Sequence, residues 1–239
     1  MEQLPRVKIQ GAGLIGTSCA LALKSRGYDV SIFDENGSAQ ALARDLIDQP
    51  NDSSLTEFEV VIVAVPVSQT FTVIKSEYSM NPRSILMDVG STKRELQLEV
   101  DSLSDISSHF IGTHPMAGRE VSGAQSARAD LFMGRAWIIT PSKICSPETV
   151  ATASKIIEAC GAKVYAMTPA EHDELLAQIS HLPQILSSIL AGELLTLSEE
   201  SLNLAGQGLR DTTRLADSSA DLWLDILDSN RQFIDVQLK

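Results

Sequence analysis

The sequence predicts an α/β fold in which a doubly wound, mostly parallel sheet precedes an all-helical C-terminal domain. Short apolar segments alternate with helical stretches over the first two thirds of the chain, and from Pro169 onward only helical periodicity is found. This alternation favours parallel strands joined by right-handed crossovers. A glycine-rich turn at 11–16, directly after the first strand, makes the sheet Rossmann-type. The predicted domains are residues 1–168 and residues 169–239.

Seven apolar segments are predicted to form the strands of this sheet. Val60–Val65 is a continuous, largely β-branched run, which is typical of a strand buried on both faces of a parallel sheet. Helices are predicted at Thr17–Ser25 and Pro147–Cys160. The seven segments are Val7–Ile9, Asp29–Phe33, Val60–Val65, Ser84–Val89, Phe110–Ile111, Ala136–Thr140 and Lys163–Ala166.

Three helical segments are predicted beyond the sheet. The first carries a broad apolar stripe from Leu175 to Leu190. Pro183 is expected to kink it, because proline removes one backbone hydrogen bond. Two amphipathic helices follow at Glu199–Leu215 and Ala220–Val236.

Composition and charge narrow the class of function. The 239 residues carry a net charge of −12, which argues against nucleic-acid binding because phosphate contacts need a basic face. We expect no membrane span, since apolar runs are short, and no signal peptide, since strand-like residues begin at Val7. The three cysteines are widely separated and lack metal-ligand spacing. We therefore expect reduced thiols, no metal and a cytoplasmic protein.

The glycine-rich turn matches the dinucleotide-binding fingerprint, with its three glycines at Gly11, Gly13 and Gly16. The first permits the tight turn, the second lets a pyrophosphate approach the backbone, and the third lets the helix pack on the strand. Leu14 and Ile15 open that helix, whose N-terminus stabilises phosphate charge. Asp34 ends the second strand at the spacing of a carboxylate that binds the adenine ribose, and no basic side chain follows. NAD is therefore favoured over NADP; the alternative is a plain tight turn.

Further candidates follow other strands, since ligands of open α/β sheets collect at carboxyl ends. Val65 and Pro66 are predicted to line the cofactor site, although a simple strand terminator fits equally well. Ser91 is placed to hydrogen-bond a substrate or a histidine, or else to cap a helix. His114 follows a strand end, where a neutral imidazole accepts a hydroxyl proton during hydride loss. Position alone also fits a structural histidine there.

The remaining histidines divide into two groups. His109 and His172 are interpreted as solvated or structural, the latter because it lies in an acidic helix start. His181 and Gln184 lie three residues apart on a helix face offset from the apolar stripe. We expect this face to line a cleft.

Arg214 is the candidate for holding a substrate carboxylate, because a guanidinium binds carboxylates through two parallel hydrogen bonds. The alternative is an ion pair along the helix with Asp211 or Asp217.

These motifs together resemble those of the prephenate/arogenate (cyclohexadienyl) dehydrogenase family over nearly the whole chain. The matching segments occur in the family's order. They are Gly11–Gly16, Asp88–Lys93, Gly112–Gly118, Ser180–Gln184 and Arg210–Arg214, followed by Leu222–Trp223.

The resemblance implies NAD-dependent oxidative decarboxylation of prephenate, arogenate or both, in tyrosine biosynthesis. His114 would match the histidine that assists deprotonation of the ring hydroxyl, and Ser91 the serine that orients it. Arg214 would match the arginine that binds the side-chain carboxylate. The substrate pocket would be lined by His181, Gln184 and Trp223. The resemblance also implies a homodimer formed through the helical domain.

Three departures from the family pattern are present. Gln184 stands where many relatives have a second histidine, which leaves prephenate and arogenate both open. Gln10 replaces the apolar residue usual before the first glycine. The chain ends at Lys239, so we expect a trimmed dimerisation domain and no regulatory domain after it, and we expect no chorismate mutase segment before Val7. Two other functions stay open: another two-domain hydroxyacid or imine oxidoreductase, and a non-catalytic dinucleotide-binding module.

Overall fold

The computed structural model describes residues 4–50, 57–117 and 123–239. The chain divides into two compact units, residues 1–172 and residues 173–239. The first unit contains the sheet, and the second is helical.

The sheet has seven strands in the order β2-β1-β3-β4-β5-β6-β7. Every neighbouring pair is parallel except β5 and β6. The mostly parallel, doubly wound fold is therefore confirmed, and the strand order reverses between β1 and β3, where such sheets bind ligands. The strands are β1 Val7–Gln10, β2 Val30–Phe33, β3 Val60–Val63, β4 Ile85–Asp88, β5 Phe110–Pro115, β6 Ala136–Thr140 and β7 Lys163–Ala166.

Helices cover the sheet and close two apolar clusters, one around Trp137 and the other around Phe110. All four residues of β3 are buried, as its β-branched run predicts. The helices of this unit are α1 Leu14–Lys24, α2 Gly37–Leu46, α3 Val67–Met80, α4 Arg94–Asp101, α5 Ser104–Ser107 and α6 Pro147–Ala159, with a 3-10 turn at Ala124–Ser126.

Strand lengths differ from the sequence prediction at two places that matter for the site. β3 ends at Val63, two residues early, and β5 continues to Pro115 instead of ending at Ile111. The expectation that His114 follows a strand end is therefore wrong. His114 lies inside β5, opposite Ile138 of the antiparallel β6, and this long-range pairing extends the strand.

The second unit consists of short helices. They follow α7 Pro169–Leu176, which crosses the unit boundary, and are a π-helical turn Ala177–His181, α8 Leu182–Leu194, α9 Glu199–Leu202, α10 Gln207–Thr213, a 3-10 turn Arg214–Asp217, α11 Ala220–Ser229 and α12 Arg231–Gln237. Within the described residues, no helix is long and apolar enough to cross a membrane.

Two predicted helices are each broken in the structure. The prediction of one helix over Glu199–Leu215 is wrong, because α10 begins anew after Gly206, which adopts an extended conformation (φ −81°, ψ 178°). The prediction of one helix over Ala220–Val236 is also wrong, because Asn230 leaves the helical conformation (φ −111°, ψ 15°). A wider π-helical turn precedes Pro183, where the proline lacks a backbone N–H.

Candidate functional site

The glycine turn is closed at both ends and open in the middle. A Cβ on Gly11, whose φ is +113°, would overlap the carbonyl oxygen of Ala64, and one on Gly16 would overlap the carbonyl oxygen of Gly11. A Cβ on Gly13 would meet no described atom within 4 Å. The first and third glycines are therefore required by backbone packing, and the second leaves room for a ligand.

Asp34 is held against this turn. It follows β2, and its Oδ2 accepts a hydrogen bond from the Ala12 N–H at 2.6 Å. Its Oδ1 accepts from the Asn36 N–H at 2.8 Å, and its own N–H donates to Gln40 Oε1 at 3.0 Å. The carboxylate is therefore oriented at the carboxyl end of the strand beside the glycine turn.

The start of α1 suits an anionic group. Gly13 is its N-cap, Leu14 and Ile15 are its first two residues, and its first turn carries no acidic side chain. The N–H groups of a helix start have no acceptor within the helix and favour negative charge. Across the turn, Val65 is partly buried after β3 and Pro66 is the N-cap of α3.

Asp88, the last residue of β4, forms a buried ion pair with Lys93 and hydrogen bonds with Thr113 of β5. Asp88 and Lys93 are each about 1% exposed, and Asp88 Oδ2 accepts hydrogen bonds from Lys93 Nζ and from the Gly90 N–H. Asp88 Oδ1 accepts from the Thr113 N–H at 3.0 Å, and Thr113 Oγ1 donates to the Asp88 carbonyl at 2.6 Å. Trp137 Nε1 donates to the same Thr113 hydroxyl at 2.9 Å. This network fixes the residue that precedes His114.

The sequence interpretation did not single out Asp88 and Lys93 except as part of a matching motif. The available signal is a charged pair that closes a glycine-containing turn directly after an apolar strand. Ser91 lies in that turn and is partly exposed. Lys93 is the N-cap of α4, so the alternative in which Ser91 caps this helix is wrong.

His114 contacts a second histidine. Its Nδ1 lies 2.9 Å from Nε2 of His172, and the two ring centroids are 5.1 Å apart. His172 is fully buried, so of its two interpretations, solvated or structural, the solvated one is wrong. Glu171 and Asp173 beside it suggested exposure, and no local signal reveals a contact between residues 58 positions apart.

In the helical unit the structure brings His181 into contact with Trp223, and Gln184 into contact with Leu215, the residue after Arg214. His181 is buried, its Nδ1 lies 3.0 Å from Asn230 Nδ2, and its ring meets Trp223 edge-on at 5.9 Å. Gln184 is also buried, and its Nε2 donates to the Leu215 carbonyl at 2.9 Å. Gln184 Oε1 has no hydrogen-bond partner among the described residues.

Arg214 begins the 3-10 turn directly before Leu215 and is exposed. The Gln184 amide therefore forms a hydrogen bond with the backbone of the residue that follows Arg214.

The three cysteines are free thiols, and two of them have a raised pKa. Cys19, Cys145 and Cys160 form no disulfide. Burial raises the pKa of Cys19, and burial followed by the charge of Asp101 raises the pKa of Cys145 to about 11. Among the described residues, no three His, Cys, Asp or Glu side chains form a group that could hold a metal ion.

Comparison with known proteins gives consistent matches over both units. The family profile described as prephenate dehydrogenase, nucleotide-binding domain, matches residues 19–166, and the one described as prephenate dehydrogenase, dimerization domain, matches residues 168–239. The prephenate dehydrogenase of Bacillus subtilis (strain 168) is 34% identical over 95% of this chain, and the cyclohexadienyl dehydrogenase of Zymomonas mobilis is 29% identical over 96%. The chain spans 65% of the former and 82% of the latter.

Two solved structures share the fold. Prephenate dehydrogenase from Aquifex aeolicus, in complex with hydroxyphenyl propionate and NAD+, has a TM-score of 0.89 at 26% identity, over 99% of this chain and 86% of that one. Synechocystis arogenate dehydrogenase has a TM-score of 0.77 at 27% identity, over 98% and 86% of the two chains. The resemblance found in the sequence motifs is thus confirmed: the chain belongs to the prephenate dehydrogenase family.

Proposed function

We propose that the chain is an oxidoreductase that converts prephenate or arogenate, with NAD, to the aromatic product and carbon dioxide. One observation carries this proposal: the candidate residues follow the spatial order of the strands. Asp34, the glycine turn, Val65–Pro66 and Ser91 come after β2, β1, β3 and β4, and His114 lies near the end of β5; these strands are neighbours in that order. Four strand spacings of about 4.8 Å span roughly 19 Å. A row of this length suits a dinucleotide, and the proton acceptor His114 lies at one end of it.

The turn and its neighbours fit NAD. The open space at Gly13 suits a pyrophosphate, and the Asp34 carboxylate lies where an adenine ribose would donate hydroxyl protons. Residues 35–37 offer no cation for a ribose phosphate, which favours NAD over NADP. NAD, when bound, supplies the hydride acceptor. In this proposal residues 1–168 bind the cofactor, and residues 169–239 carry the predicted substrate-binding side chains.

His114 takes the proton of the ring hydroxyl while the hydride leaves the carbon that bears it. Loss of carbon dioxide then makes the ring aromatic, so the protein has mainly to position the ring and accept one proton. Ser91 orients His114 and the hydroxyl. Arg214 holds the side-chain carboxylate through its planar guanidinium. Its companions in substrate binding are His181, Gln184 and Trp223.

Relatives named for each substrate support keeping both. The Bacillus subtilis protein is named for prephenate and the Synechocystis structure for arogenate. The two compounds differ at the side chain, which carries a keto group in prephenate and an ammonium group in arogenate.

A second copy of this chain is proposed to cover the helical unit. The matched profile is described as a dimerization domain. This unit exposes many large apolar side chains, a pattern that marks an interaction surface. They include Ile179, Leu186, Ile189, Leu195, Leu204, Leu222 and Leu224.

Direct assay of NADH or NADPH formation tests the activity. The purified chain is given prephenate and arogenate in separate titrations, each with NAD and with NADP. We expect turnover with NAD and at least one of the two acids. No turnover with either would overturn the proposal, and dinucleotide binding without turnover would favour a binding module. Activity confined to a panel of other hydroxyacids or imines would favour a different oxidoreductase.

His114→Asn tests the proton acceptor. General-base catalysis contributes about a hundredfold to ten-thousandfold, so we expect kcat to fall by about a thousandfold, with NAD affinity unchanged in calorimetry. His109→Asn is the matched control: it changes a histidine at the opposite end of β5 and should leave kcat unaltered. Equal kcat in the two variants would remove His114 from this role.

A further inference from the structure

We infer that His172 is a positioning residue for His114, which it holds in the tautomer that carries a lone pair on Nε2. This inference rests on the proposed function, in which His114 accepts a proton. Two features support it: the contact between the two imidazoles and the hydrogen bonds that hold the backbone beside each ring.

The contact requires one shared proton. His114 Nδ1 and His172 Nε2 are 2.9 Å apart, and the ring planes are inclined by 60°, so the rings meet through their nitrogens and are not stacked. Two neutral imidazoles form such a hydrogen bond only when one nitrogen carries hydrogen and the other a lone pair.

Only one of the two possible arrangements leaves His114 able to act as a base. If His114 donates from Nδ1, its lone pair is on Nε2, and this nitrogen can take the hydroxyl proton. If His172 donates instead, the hydrogen of neutral His114 is on Nε2 and that nitrogen cannot accept. We therefore assign the donor to His114 and the acceptor to Nε2 of His172.

The backbone beside each histidine is held by its own hydrogen-bond network. His114 follows Thr113, which is bound to Asp88 through its N–H and its hydroxyl. His172 lies in the first turn of α7, where Thr168 and Glu171 form a reciprocal capping box: the Thr168 N–H donates to Glu171 Oε2 at 2.8 Å, and the Glu171 N–H donates to Thr168 Oγ1 at 3.2 Å.

This placement restricts the conformational freedom of His172. The His172 N–H also donates to the Thr168 carbonyl at 3.0 Å, and the side chain is fully buried. In hydrolases that use Ser, His and Asp, the third residue likewise fixes the tautomer of the base, but as an anion. A second imidazole performs the same orientation without adding a full negative charge beside the base.

The test combines the tautomer of His114 with kinetics. In protein labelled with ¹⁵N-histidine and free of substrate, NMR distinguishes Nδ1–H from Nε2–H, and loss of signals in His114→Asn assigns the ring. We expect His114 to carry hydrogen on Nδ1. In His172→Leu, which lacks an acceptor, we expect the Nε2–H form to appear, and kcat to fall by about tenfold to a hundredfold with little change in KM.

A matched pair of variants separates acceptor loss from structural damage. His172→Gln retains an acceptor oxygen at the distance of Nε2, and we expect it to restore the Nδ1–H tautomer and most of kcat. His109→Leu removes an imidazole remote from the site and should alter neither readout.

The failures of the two proposals are distinguishable. An Nε2–H tautomer of His114 in the unaltered chain, or the same tautomer and kcat in His172→Leu, would overturn the positioning role while NADH formation still supported the dehydrogenase. If His172→Leu does not fold, the unaltered chain and His172→Gln decide the question. Absence of turnover with both acids would overturn the proposed function, and the tautomer would still be measurable.

Discussion

The sheet unit buries most of its apolar side chains, whereas the helical unit leaves many of its own exposed. In the sheet unit two clusters fill the space between strands and helices, and β3 is buried on every side. In residues 173–239, all of which are described, the buried apolar residues are Leu176, Ala177, Ile226 and Ile234. A core of this size is small for a unit of this length.

The segment formed by the π-helical turn Ala177–His181 and α8 makes the difference plain. Its polar residues His181, Gln184 and Ser187 are at most 3% exposed, whereas Ile179, Leu186 and Ile189 of the predicted apolar stripe are more than half exposed. Apolar periodicity shows that a face is to be buried but not whether the same chain buries it. The sheet unit is thus organised by packing within the chain, whereas the helical unit leaves an apolar surface exposed, which we propose is covered by a second copy.

The largest effect is expected where the sheet unit depends on a buried ion pair. Asp88→Asn leaves Lys93 without its counter-charge, and breaking one partner of such a pair costs about 3–5 kcal/mol, a large part of a typical domain stability of about 5–15 kcal/mol. Urea denaturation measures this loss. Glu59→Gln is the control, because the Arg6–Glu59 pair is largely exposed and should shift the midpoint little.

A double variant, also measured by urea denaturation, tests whether the unpaired charge causes the loss of stability. Replacing both charges, as in Asp88→Leu with Lys93→Met, should recover part of the loss, since an apolar substitute for a buried pair is often neutral. Equal shifts for Asp88→Asn and Glu59→Gln would show that the buried network does not organise the sheet unit.

The glycine turn is expected to give the next largest effect. Gly11→Ala forces a methyl group onto the Ala64 carbonyl at a positive φ, and overpacking of this kind costs about 1–3 kcal/mol. Gly13→Ala meets open space and should change the free energy of unfolding by less than about 1 kcal/mol. Its effect should appear instead as about a tenfold rise in the Kd for NAD, or about 1.4 kcal/mol. Equal destabilisation by both, with unchanged NAD binding, would contradict the assignment.

The strands of the sheet could be predicted from the sequence, because a strand buried on both faces is a continuous run of apolar, largely β-branched residues. The run Val60–Val65 predicts the central strand, and the structure confirms it with a two-residue error at its end. The error at β5 has a different cause, since residues 112–115 remain extended by pairing with β6. In the helical unit the break at Asn230 follows from contacts of its side chain with the Asp173 carbonyl and His181, which no local pattern announces.

In the candidate site, too, some residues could be predicted from the sequence and some contacts could not. The glycine turn, Asp34 and His114 were found from residue type and spacing: the first two follow strands of the sheet, and His114 lies near the carboxyl end of β5. The buried contact of His114 with His172 and the bonds from Thr113 to Asp88 join residues far apart in sequence. Acidic neighbours even indicated a solvated His172, since local polarity carries no information on which face a helix turns inward.

The last comparison tests whether a second copy of the chain covers the helical unit. Ile189→Lys places a charge on the exposed stripe of α8, and a residue near the centre of an interface contributes about 2 kcal/mol or more, so the dimer Kd should rise by roughly thirtyfold. Light scattering on a dilution series measures it. Leu98→Lys is the matched control, because Leu98 is equally exposed (58% against 59%) but lies on α4 of the sheet unit. Loss of the dimer in Ile189→Lys alone would show that only the helical unit's exposed side chains serve assembly. If the unaltered chain stays monomeric at high concentration, a second copy does not cover the exposed stripe, and the proposed dimer is wrong.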